Sequence, residues 1–178
     1  MPKFVLAKSE KEKIIFGQAL YQSFKDLKSS WLMKNYIFDE QTKSLKPSDP
    51  NCIYRPFYER DTDGIICGYA LNLNHSAEFQ LEKMGFTIPG GRTAEMCEVT
   101  SFFILQRKNP LRSALGSKKI YTFLEQLGFT TGWSTAHIGV LKLYQYIGWR
   151  IVDEKKINGK TIWLLTFDRK SAEDILPV

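Results

Sequence analysis

The pattern of apolar positions changes period several times along the chain, and each change marks an element. Lys3–Ala7 reads as a short strand. Ser9 with Glu12 three residues on forms a capping box, the start signal of a helix. Phe16, Leu20, Phe24 and Leu27 then recur at intervals of four, four and three, which is one apolar helical face. A second short helix is expected over Ser30–Tyr36. Residues 39–51 are polar, hold two prolines and read as a loop. Ile53–Glu59 and Ile65–Leu73 are β-rich and flank Asp61-Thr62-Asp63-Gly64, a hairpin signal. Ser76–Met84 has helical character, and Gly85–Thr93, rich in glycine and proline, reads as loop.

The second half repeats a strand–helix order. Glu98–Leu105 (EVTSFFIL) is an apolar, β-branched and aromatic run, the signature of a buried strand. Ser113–Leu127 is helical, with Gly128 as its stop. Thr131–Ala136 is strand-like, and Ile138–Ile147 is a helix ended by Gly148. Trp149–Lys155 and Thr161–Phe167 flank Asn158-Gly159, the strongest short hairpin signal in the chain. Asp168–Val178 is a tail with room for one helical turn. No repeat, low-complexity stretch or linker interrupts this order, so one α/β domain over residues 1–178 with a mixed sheet is expected.

Composition narrows the class. The chain has 178 residues, 43% hydrophobic and 25% charged, the balance of a soluble globular protein. No apolar run reaches the roughly 18 residues that a membrane span needs, and the N-terminus lacks an apolar core with a cleavage site. Cys52, Cys67 and Cys97 are odd in number and widely spaced, which fits a reducing cytoplasm. With His75 and His137 they make no metal-ligand spacing, so no metal is expected.

Net charge is +6, and it is unevenly placed: residues 98–178 carry twelve basic against seven acidic side chains. Arg107, Lys108, Arg112, Lys118 and Lys119 fall within Gln106–Lys119, where there is no acid. Such a run is ordinarily a solvated face. Here it opens a predicted helix, whose unpaired N–H groups and positive dipole end favour an anion. Nucleic acid, a phosphate-bearing cofactor and an acidic protein all satisfy that description.

Two stretches carry a family resemblance. Arg112-Ser113-Ala114-Leu115-Gly116-Ser117 lies at the helix start after strand 98–105. It is similar to the pattern Arg/Gln-x-x-Gly-x-Gly/Ala, with Leu115 and Ser117 where glycine and a small residue are usual. His137, Val140, Leu143, Tyr144, Gly148 and Trp149 fit the pattern Asn-x-x-Ala-x-x-Leu-Tyr-x-x-x-Gly-Phe. Both patterns, and the element order, resemble the GNAT superfamily of acyl-CoA-dependent N-acyltransferases. The run EVTSFF also resembles the Glu-Leu-Ser-Arg-Phe stretch of acyl-homoserine-lactone synthases and N-acyl amino acid synthases. Glu98, Thr100 and Phe102 match it, and Ser101 stands in place of arginine.

The resemblance implies transfer of an acyl group from coenzyme A or acyl carrier protein to a primary amine. The acyl-CoA or acyl-phosphopantetheine would be a cosubstrate, with no tightly bound cofactor. It implies a sheet splayed between Glu98–Leu105 and Trp133–Ala136, the thioester arm lying in the gap. Backbone of Phe103 and Leu105 would hold the arm, and Arg107, Arg112, Leu115, Gly116, Ser117 and Lys118 its phosphates. Tyr144 is the implied proton donor to sulfur; core packing is its other use. Glu98 is a base, an amine anchor or a solvated strand end, since a buried carboxylate is costly unless paired or used. His137 is a helix cap, a surface residue or a base. Trp133, Tyr144, Tyr146, Trp149 and Trp163 line a pocket or pack a core. Alternatives to the plain N-acyltransferase are a signal-molecule synthase of the two kinds named and a non-catalytic binder. For that binder an acidic protein partner is preferred to nucleic acid.

Overall fold

The computed structural model describes residues 3–25, 35–49, 54–62, 64–73, 78–105, 122–168 and 170–171. They fall into two compact units, one drawn from Met1–Leu73 and Thr100–Ser113, the other from Asn74–Val99 and Ala114–Val178. Neither unit is continuous in sequence, and one strand, β6 (Met96–Ile104), contributes its first residues to the second unit and its last to the first.

In the first unit, β1 (Lys3–Leu6), β4 (Tyr54–Asp61), β5 (Gly64–Asn72) and the end of β6 pair in that order. β1–β4 and β4–β5 are antiparallel. The β4–β5 turn closes at Asp61↔Gly64, with Gly64 at φ +125, so the expected hairpin is present. Helix α1 (Glu10–Phe24) begins at the expected capping box: Ser9 Oγ accepts from the Glu12 N–H, and Glu12 Oε2 accepts from the Ser9 N–H at 2.9 Å. Its apolar face buries Phe16, Leu20 and Phe24, with Phe16 and Phe103 rings 5.4 Å apart.

The loop expected over 39–51 is instead largely a hairpin of β2 (Tyr36–Asp39) and β3 (Ser44–Pro47). Its turn is held by Asp39, whose Oδ1 accepts from the N–H groups of Gln41 (2.9 Å) and Thr42 (3.2 Å). Tyr36 belongs to this strand, not to the end of a helix; residues 30–34, where most of that helix was expected, lie outside the described residues. Gly17 explains how α1 comes so close to β3: a Cβ there would stand 2.5 Å from the Leu45 carbonyl oxygen.

In the second unit, the start of β6 pairs with β7 (Thr131–His137), β7 with β9 (Lys160–Asp168), and β9 with β8 (Arg150–Ile157). β6–β7 is parallel, and β7–β9 and β8–β9 are antiparallel. The seven strands therefore form a mixed sheet. Asn158 (φ +50) and Gly159 (φ +76) make the expected β8–β9 turn, both in the left-handed region that a tight hairpin demands. Residues 122–126 are helical, and Phe129 N–H returns to the Leu124 carbonyl at 2.9 Å around Gly128. A short helix α2 (Gln80–Lys83) precedes β6, and α3 (Ile138–Tyr146) follows β7. No helix among the described residues is long and apolar enough to cross a membrane.

Candidate functional site

In the second unit Ser134 and Tyr144 meet beside the place where β6 and β7 run side by side; Glu98 stands on β6 and His137 at the end of β7. Their parallel ladder is short: Met96↔Thr131, Cys97↔Gly132 and Glu98↔Trp133. The next link is made by a side chain. Ser134 Oγ donates to the Val99 carbonyl oxygen at 2.8 Å and stands 3.4 Å from the Tyr144 hydroxyl. Ser134 Oγ is the donor in both contacts, its one hydrogen lying closer to Val99 than to Tyr144.

Tyr144 reaches this point because α3 packs its buried face on β7. Its ring meets Trp149 edge-on at 5.3 Å, and Trp149 in turn lies 5.4 Å from Phe167. Burial pushes the Tyr144 hydroxyl up to about 12, opposed in part by the Ser134 hydrogen bond. The phenol is therefore a neutral, hydrogen-bearing group throughout the physiological range.

His137 is the N-cap of α3. Its Nδ1 accepts from the Gly139 N–H at 3.1 Å. Gly139 makes room for this, since a Cβ there would lie 2.8 Å from the imidazole Cε1. Burial, and then the charge of Lys160, lowers the His137 pKa below its ordinary value. The neutral ring thus uses its Nδ1 lone pair on the helix and carries its hydrogen on Nε2, a tautomer with no lone pair to offer a substrate. Of the uses open to it, the geometry provides the cap.

Glu98 is buried, at 2% exposure, so it is not a solvated strand end. Its Oε2 accepts from the Gln80 N–H at 2.9 Å and its Oε1 from the Leu81 N–H at 2.8 Å, at the start of α2. Each carboxylate oxygen is thereby engaged. The charge is felt next door: burial, and then Glu98, raise the Cys97 thiol pKa. This link was invisible in the sequence, because a backbone N–H has no residue code. Trp133, opposite Glu98 in the ladder, is also buried.

In the first unit, β6 continues through Thr100 and Ser101, both buried. Ser101 has φ +57, a left-handed residue inside a strand. Its hydroxyl is hydrogen-bonded to the Tyr36 hydroxyl and lies 3.4 Å from Thr100 Oγ1. Phe103 is in the core of this unit, and Leu105 is half-buried beside it. The Leu105 N–H donates to the Ile66 carbonyl at 2.9 Å, so its backbone is turned towards β5. Alternation along a strand turns Ile104 to the opposite edge. Arg107, Arg112, Leu115, Gly116, Ser117 and Lys118 lie outside the described residues. No group of metal-ligating side chains occurs among the described residues.

No family model matches the sequence, and no curated protein sequence matches it. Solved structures do. The chain is similar to BjaI, a CoA-dependent acyl-homoserine lactone synthase seen with SAM and isopentyl-CoA. The TM-score is 0.69 at 10% identity over 98% of this chain and 87% of that one. It is similar to FeeM, an N-acyl amino acid synthase from uncultured soil microbes, with TM-score 0.63, 9% identity and coverage of 97% and 92%. A probable acetyltransferase from Staphylococcus epidermidis ATCC 12228 gives TM-score 0.62 at 10% identity, covering 95% and 99%. At such identities what is shared is the fold, and it is shared over nearly the whole length of each chain. The protein therefore has the GNAT-like α/β fold that the sequence resemblance implied, in the form common to acetyltransferases and acyl-homoserine lactone synthases.

Proposed function

We propose that the protein is an acyltransferase that moves an acyl group from a phosphopantetheine thioester to a primary amine in one direct step. The observation that carries this reading is Tyr144, a buried phenol kept protonated and held 3.4 Å from Ser134 at the end of the short β6–β7 ladder. The amine nitrogen attacks the thioester carbonyl carbon, the C–S bond breaks, and the amine loses one proton as the sulfur gains one. A phenol near 12 facing a thiol whose ordinary pKa is about 8.5 would give up its proton at a cost of about 5 kcal/mol. Tyr144 therefore acts by donating a hydrogen bond to the sulfur as charge develops there, and the amine is the net source of the proton. Glu98, a buried carboxylate at the end of the β6–β7 ladder, attracts the cationic amine before it is deprotonated.

A second reading makes the acceptor an amino acid or a derivative of one, and the product a signal molecule. It is favoured by the likeness to BjaI and FeeM, and by Glu98 standing in the stretch that resembles those synthases. Whether coenzyme A or acyl carrier protein delivers the arm turns on the basic cluster at Gln106–Lys119.

The test is thiol release from acyl-CoA and acyl carrier protein across a panel of amines that includes amino acids and SAM. Amine-dependent release with a matching amide product is expected. Binding of either donor without release under any amine would support the non-catalytic alternative. A donor at about 100 times its dissociation constant stabilises the fold by roughly 2.7 kcal/mol, which a thermal shift detects.

A further inference from the structure

Trp133 is 5% exposed, and its indole Nε1 has no hydrogen-bond partner among the described residues. Buried donors are nearly always matched, so a buried N–H without an acceptor calls for one. Its position within the second unit says what kind. A Cβ on Gly132 would meet Leu124, Val99 and Trp149, so that face of β7 is filled. Trp133, the next residue, projects from the opposite face. Its ladder partner Glu98 shares that face, where the Glu98 carboxylate meets the start of α2. A second anion beside Glu98 would be repelled, whereas a neutral oxygen would not.

We infer that the Trp133 indole N–H is a binding donor for the carbonyl oxygen of the acyl group, a role that rests on the acyltransferase reading. The acyl carbonyl is a neutral acceptor that every donor thioester carries. The indole is rigid, and its ring is fixed by burial, so the donor is aimed before the ligand arrives. Charge that grows on the carbonyl oxygen during attack strengthens the same bond. Trp133 is then a specificity residue that distinguishes an acyl group from an alkyl group of the same length.

The test compares binding of phosphopantetheine thioesters with the matching S-alkyl thioethers, which lack only the carbonyl oxygen. It uses the full chain with Trp133 intact and with 3-benzothienyl-L-alanine at position 133, in which sulfur replaces the N–H. A panel of short and medium chains removes dependence on length. The intact protein is expected to prefer the thioester by about tenfold, the size of one well-made hydrogen bond. The substituted protein is expected to lose that preference while its melting temperature is unchanged or higher, because no internal bond is broken. A preference that survives the substitution overturns the assignment. So does a fall in melting temperature, which would reveal an internal partner, and so does equal binding of both compounds by the intact protein. Binding of neither compound by the intact protein would overturn the acyltransferase reading as well.

Discussion

Replacing Tyr144 by phenylalanine separates chemistry from packing. The ring, its edge-on contact with Trp149 at 5.3 Å and the burial of α3 all stay. What goes is the hydroxyl and its long 3.4 Å contact with Ser134, while the 2.8 Å bond from Ser134 to the Val99 carbonyl is untouched. A net intramolecular hydrogen bond is worth about 1 kcal/mol, and a long one less. Against a total stability of roughly 5–15 kcal/mol the variant remains folded. Its melting temperature should fall by no more than about 2–4 °C. Removing the donor from the leaving sulfur should instead cost about 10²–10⁴ in turnover, which is about 3–5 kcal/mol of barrier. The two effects differ enough that one cannot pass for the other. Steady-state thiol release gives kcat and KM, and a circular dichroism melt gives the stability. KM should change little, since the ring still packs. Turnover within twofold of the parent protein would refute the role and leave Tyr144 as a packing residue.

Gly17→Ala should destabilise the first unit although alanine is the better helix former by about 1 kcal/mol, because the new Cβ would sit 2.5 Å from the Leu45 carbonyl oxygen. A net loss of about 1–2 kcal/mol is expected from the forced separation of α1 and β3, and a melting temperature equal to or above the parent's would refute it. His137 has its pKa lowered on folding, so the unfolded chain takes up a proton near pH 6.5 while the folded chain does so only further down. Its contribution to stability is thus complete above about pH 6.5 and is lost as pH falls through the folded value. His137→Asn keeps a capping side chain and removes that dependence. The urea midpoint of the variant should fall less between about pH 7.5 and pH 5 than the parent's, and equal falls would count against it.

Elements with a local code were readable in the sequence. The Ser9–Glu12 capping box, the Asn158-Gly159 turn and the glycine stops at Gly128 and Gly148 depend on near neighbours, and the structure has each of them. The β2–β3 hairpin was not readable. Its strands are four residues long, its Asp39 turn looks like any polar loop, and its place is set by a glycine more than twenty residues earlier on α1. At the site, Tyr144 was legible through its motif, but its link to Ser134 was not, since those residues meet only when α3 folds back on β7. The start of α2 gave no hint that Glu98 would close on it. Trp133 was one aromatic among several, and nothing in its neighbours announces a buried indole without an acceptor.

The strand order has a consequence for biosynthesis. β9 lies between β7 and β8, pairing with β7 from Thr131↔Asp168 to His137↔Ile162. Ser134 is therefore on a strand whose antiparallel neighbour is translated only after α3 and β8 have emerged. A ribosome adding about 5–20 residues per second leaves β7 with that edge bare for a second or more. During that interval the edge is open to a chaperone or to a strand from another chain. A nascent chain stalled before Lys160 would carry Tyr144 and Ser134, yet without the strand that braces them. The fold thus withholds the braced Ser134–Tyr144 pair until synthesis has passed β9, the last of the described strands.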